Sequence, residues 1–118
     1  MNTALEDDDA VARARIHVER IRGPVLTLTA GDDAAWPSSR FGQMVSARLQ
    51  HFDHPWPVLQ RDFPLAGHSI LLPYIPTTYT DDGQPEANAQ ANEQSWQAVV
   101  EFLHNAVAER RAHSKELQ

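Results

Sequence analysis

Two short stretches hold residues that could do chemistry together. Asp32 and Asp33 lie in a sharp turn, Gly31-Asp32-Asp33, and His68 lies in Ala66-Gly67-His68. A carboxylate that accepts an imidazole Nδ1–H fixes the ring's tautomer. It also stabilises the imidazolium that forms when the other ring nitrogen takes a proton, which is the acid–base portion of a catalytic triad. The third member, a nucleophile on its own elbow, is missing from the sequence. There is no cysteine, no serine precedes Asp33, and no G-x-S-x-G run occurs. The serines at 38, 39, 46, 69, 95 and 114 fall at helix, loop or tail positions, and Ser69 follows His68 without a strand–turn–helix around it. Spacing also admits a structural reading, with Asp32 and Asp33 as turn and cap residues and His68 as a loop surface residue.

The elements around these residues are those of an α/β protein. Pro24 to Ala30 reads as a strand bounded by proline and glycine, with apolar and β-branched residues in it. Pro37 and Ser38-Ser39 introduce a helix whose Phe41, Met44, Val45, Leu49 and Phe52 share one face, predicted to lie on the sheet. Pro55 and Pro57 interrupt regular structure, and Val58 to Phe63 forms a second strand. A long Pro-rich segment, 64–85, leads to the longest helix, predicted from Pro85 to about Arg111 with a stripe of Trp96, Val99, Val100, Leu103 and Val107. Near the start, residues 5–15 have helix-forming composition, with Leu5, Ala12 and Ile16 as a thin apolar stripe and acidic residues ahead of basic ones, as the helix dipole favours. Residues 1–17 are thus an N-terminal helix and connector, and 112–118 a flexible tail. Asp33 and His68 fall just past the C-terminal ends of the two strands, where open α/β sheets carry their sites.

Composition narrows the class. A chain of 118 residues is one domain at most, and 42% hydrophobic residues are enough for a core. Net charge is −6 and no basic stripe forms, which argues against a nucleic-acid surface. No run nears the roughly 20 apolar residues of a membrane span. The first ten residues are acidic and lack the basic and apolar regions of a signal peptide, so a cytoplasmic protein without a membrane partner is expected. His17, His51 and His54 have no ligand spacing, so neither a metal site nor a cofactor is expected.

The block GPVLTLTAGDDAAWPSS, followed by AGHSILLPYIPTTYTDDGQPEANAQANEQSWQAVVEFL, resembles the C-terminal part of the acyl-CoA thioester hydrolase and bile-acid-CoA:amino-acid N-acyltransferase family, a branch of the α/β-hydrolases. The matching features are Asp32-Asp33 with Trp36, Gly67-His68, Pro73-Tyr74-x-Pro76, and Gly83 to Trp96. The resemblance implies that Asp33 is the triad acid and His68 the triad base, with Asp32 and Trp36 supporting the loop. Ile70, Leu72 and Tyr74 would line an acyl channel in an intact enzyme, and otherwise anchor the long segment. The family acts on acyl-CoA through an acyl-enzyme on serine or cysteine. Ala30 departs from the family's usual glycine.

Combined with the missing elbow, the resemblance implies a C-terminal fragment of such a hydrolase, a partial α/β-hydrolase domain with two parallel strands, flanking helices and an incomplete sheet, inactive by itself. A second reading is a non-catalytic assembly or binding module that pairs through exposed strand edges. A third is one half of a split hydrolase. Two parallel strands expose edges and apolar faces that invite a partner, either a second copy in a homodimer or a missing N-terminal hydrolase half.

Overall fold

The computed structural model describes residues 7–70, 73 and 82–116. In chain order these form α1 (Asp8–Ala14), a 3-10 turn (Val18–Arg20), β1 (Val25–Ala30), α2 (Ser38–His51), β2 (Val58–Phe63) and α3 (Pro85–Glu116). The two strands pair in parallel with Val25 opposite Val58 and Ala30 opposite Phe63. Bonds from Val25 N–H to the Pro57 carbonyl and from Gly31 N–H to the Phe63 carbonyl extend the ladder at both ends. This is the partial α/β-hydrolase-like architecture expected from the sequence, an open two-stranded parallel sheet flanked by helices.

Successive strand residues point to opposite faces, and the contacts divide accordingly. Thr29 faces α2, and Ala30 packs with Ala66 of the following loop and Ala91 of α3, joined by Phe63 and Ile70. The helices therefore cover opposite faces of the sheet. Ser38 closes the β1–α2 connection by donating its hydroxyl to the Ala30 carbonyl and accepting the Ala30 N–H.

The helix faces differ from those predicted. The side of α2 on the sheet carries Ser39, Gly42, Ser46 and Leu49 instead of the larger apolar residues. Leu49 is fully buried, Ser39 bonds Asp62 and Ser46 bonds Gln60. A Cβ at Gly42 would lie 2.7 Å from the Thr29 methyl, so the helix reaches the sheet only where that side chain is missing. Phe41, Met44 and Val45 instead line an apolar groove with Ala10, Val11 and Ala14 of α1 and with Ile16, and Phe52 is half exposed. Ala12 is exposed and Leu5 lies outside the described residues.

In α3 the buried residues are Asn88, Ala91, Asn92 and Ser95, and the same side continues through half-buried Val99, Phe102 and Ala106. Trp96, Val100, Leu103 and Val107, one position further round the helix, are 45–56% exposed. The helix runs to Glu116, past the predicted end near Arg111, because no proline or glycine interrupts it.

The result is a slab of 53 × 42 × 16 Å with a radius of gyration of 16.7 Å. A compact chain of this length would have about 13–14 Å. No helix among the described residues is long and apolar enough to cross a membrane.

Candidate functional site

The site is built from the loops that leave the C-terminal ends of the two parallel strands. After β1 the chain turns at Gly31 and Asp32, and the Asp32 N–H donates to the Ala66 carbonyl (3.0 Å), drawing the first loop onto the second. Asp33 follows with its side chain only 5% exposed. Its Oδ1 accepts the backbone N–H groups of Ala35 and Trp36, both at 2.9 Å, an Asx-type turn that leads into α2.

His68 meets this carboxylate from the second loop. Its Nδ1 lies 3.1 Å from Oδ1 and 3.2 Å from Oδ2 of Asp33. A carboxylate offers no proton, so the ring nitrogen is the donor, and in the neutral ring that places the proton on Nδ1 and leaves Nε2 as a base. The His68 side chain is 47% exposed, and among the described residues nothing bonds Nε2. Burial pushes the Asp33 carboxyl upward. The Trp36 amide, the His68 ring, the Ser38 hydroxyl and the Ala35 amide outweigh that and hold it below the ordinary aspartate value. Asp33 is therefore an anion at neutral pH, the state that can orient an imidazole.

A polar knot, which the sequence reading did not pick out, supports the His68 loop. Asn88, 2% exposed on the first turn of α3, accepts the Gly67 N–H at 2.7 Å and donates to the Asp82 carbonyl at 3.1 Å. Gly83 adopts φ +68°, and a Cβ there would press on the Gly67 nitrogen and on the Asn88 Oδ1. The Asp82 Oδ2 accepts the N–H of Ala34 at 2.8 Å and that of His68 at 2.9 Å. The sequence signal was a turn-forming Asp-Gly just ahead of a proline-started helix, but no spacing rule links it to His68.

The other candidates take varied places. Asp32 is exposed and supports the turn through its backbone N–H, and Trp36 holds Asp33 through its amide while its ring stays 56% exposed. Ile70 packs against the small core of Ala30, Ala66 and Ala91. Leu72 and Tyr74 lie outside the described residues. Among the described residues no three histidine, aspartate or glutamate side chains gather as a metal site.

The serine hydroxyls are engaged elsewhere. Ser38 bonds Ala30, Ser39 bonds Asp62, Ser46 bonds Gln60, Ser95 bonds the Asn92 carbonyl and Ser114 bonds the Arg110 carbonyl. Ser69 stands beside His68 in the chain, where the backbone turns through an Ile70 N–H to His68 carbonyl bond. Among the described residues no strand runs directly into Ser69 and no helix starts from it, so no elbow is seen there to aim its hydroxyl at Nε2.

A parallel sheet with helices on both faces, and an acid and a base side by side past its strand ends, is the class of arrangement found in the last part of an α/β-hydrolase. Comparison with known proteins agrees. The family model described as BAAT / Acyl-CoA thioester hydrolase C terminal matches residues 1–109, and the chain belongs to that family. It is similar to Acyl-coenzyme A thioesterase 6 of Homo sapiens, 27% identical over 113 residues, covering 85% of this chain and 27% of the relative. It is also similar to two Mus musculus proteins. One is Acyl-coenzyme A thioesterase 5, 32% identical over 115 residues (88% of this chain, 27% of the relative). The other is Peroxisomal succinyl-coenzyme A thioesterase, 28% identical over 99 residues (75% and 23%). The chain spans about a quarter of the length of these relatives.

Proposed function

We propose that this chain supplies the acid–base portion of an acyl-CoA thioester-cleaving site whose nucleophile comes from a complementing hydrolase segment. The observation that carries the reading is the bond between buried, anionic Asp33 and the half-exposed ring of His68. In the reaction, His68 Nε2 takes the proton of a serine or cysteine as that nucleophile attacks the thioester carbonyl. It then returns the proton to the departing CoA thiolate, leaving an acyl-enzyme for water or an amine to resolve. Asp33 holds the tautomer and stabilises the imidazolium formed in between. The names of the relatives, all thioesterases, support acyl-CoA as the substrate class.

The purified chain is expected to show no thioester hydrolysis across short, medium and long acyl-CoA. When it is combined with a polypeptide carrying the nucleophile elbow, turnover should appear and fall by about 10⁴-fold in His68→Ala and to a similar extent in Asp33→Asn. Turnover by the chain alone that His68→Ala abolishes would place the nucleophile inside it. Turnover of the combination unchanged by His68→Ala would end the reading.

A second reading, self-assembly through the open sheet and the α3 stripe, draws on the exposure of Trp96, Val100, Leu103 and Val107. Covering that stripe with a second copy would remove apolar surface from water at about 25 cal/mol per Å². A homodimer by light scattering at micromolar concentration is the expected outcome, and a strictly monomeric folded chain would set this reading aside.

A further inference from the structure

We infer that Asp82 is the positioning residue that fixes the distance between acid and base, an inference that rests on the acid–base reading above. Strand pairing alone does not set that distance. The ladder holds the strand ends about 4.8 Å apart, but Asp33 lies three residues past β1 and His68 five residues past β2. Backbone bonds carry the pairing forward only to Asp32, through Gly31 with Phe63 and Asp32 with Ala66.

Beyond that point, apart from the pair itself, the described residue bonded to both loops is Asp82. One oxygen, Oδ2, receives the N–H of Ala34, the residue after the acid, and the N–H of His68, the base. Hydrogen bonds to a carboxylate are shorter and stronger than neutral ones, and two converging on one atom leave the loops little room to slide. Asp82 is itself held, its carbonyl by Asn88, and Gly83 lets the chain pass close to Gly67. The clamp therefore refers both loops to the first turn of α3. Its carboxylate touches neither ring nitrogen of His68 among the described bonds, so its action on the chemistry runs through the backbone.

The readout is the tautomer of His68 in the ¹⁵N-labelled full chain, taken from long-range ¹H–¹⁵N spectra at a pH where the ring is neutral. The native chain should show one dominant form with the proton on Nδ1. Asp82→Ala should lose it and give the Nε2–H-rich mixture of a free imidazole. Asp82→Asn should keep it, since an amide oxygen can accept both N–H groups. Asp62→Ala removes the bonds from Thr29 and Ser39 at the same end of the sheet without touching either loop, and should also keep it. Where Asp82→Ala does not fold, Asp82→Ser carries the same expectation, its hydroxyl being too short to reach both amides.

An unchanged tautomer in folded Asp82→Ala overturns the clamp and leaves the acid–base pair standing. Equal loss in Asp82→Ala and Asp62→Ala reduces the effect to general loosening and overturns it as well. A free-imidazole mixture already present in the native chain overturns the acid–base reading itself.

Discussion

The two halves of α3 are built on opposite plans. In the first three turns the helix buries Asn88, Ala91, Asn92 and Ser95, small or polar residues that let its backbone lie close to β1 and to the His68 loop. From Trp96 onward a stripe of large apolar residues, Trp96, Val100, Leu103 and Val107, faces outward beside half-buried Val99 and Phe102, with Leu103 56% and Val107 51% exposed. Hydrophobic residues ordinarily go inside and amides stay out. The inversion leaves the chain closed around the Asp33–His68 pair and presents an exposed apolar stripe further along the same helix, the stripe on which the self-assembly proposal rests.

Removing the Asn88 side chain is the severest test of this contrast. Asn88→Ala orphans the Gly67 N–H and the Asp82 carbonyl, each at a cost of about 1–3 kcal/mol when buried, and the urea midpoint should fall accordingly. A midpoint unchanged within error would show that the first half is held by something other than this knot.

A smaller effect is expected from pH. The Asp33 carboxyl is lowered in the folded state, so between that value and its ordinary one the unfolded chain binds a proton that the folded chain does not. The stabilisation is complete above the ordinary aspartate value and is lost as pH falls through the lowered one. Urea midpoints followed from neutral pH into the acid range should fall less steeply in Asp33→Asn than in the native chain, and parallel curves would deny the carboxylate its role.

The smallest effect on folding belongs to the outer stripe. Leu103→Ser with Val107→Ser should shift monomer stability by about 0.5 kcal/mol or less, as exposed substitutions do, while weakening self-association in sedimentation runs. A large loss of stability with no change in association would mean that the stripe is part of the core and would erase the contrast.

Much of this was legible in the residues. Pro24 and Gly31 bracket β1, and Pro57 and Pro64 bracket β2, so β2 falls on the predicted residues and β1 starts one residue late. Two parallel strands that end side by side bring Asp33 and His68 into one neighbourhood, because each lies a few positions past its strand, but the pairing does not by itself set their separation. The packed helix faces were not legible. Periodicity rewards large apolar side chains, and both α2 and α3 approach the sheet through Gly42, Ser46, Asn88, Asn92 and Ser95, which it scores as solvent-facing. Of the stripes that it did find, Leu49 and Val99 lie on the packed side, and most of the other members lie in the α1–α2 groove or on exposed surface. Asp82 escaped for a different reason: its two acceptor bonds reach residues 48 and 14 positions away, and no local pattern encodes such a meeting.

The Asp82 carboxylate ties the backbone at Ala34 and at His68 to the turn that opens α3. A change at Gly83 or Asn88, the residues that seat Asp82, would therefore be felt in the spacing of Asp33 and His68 although neither of those side chains is altered.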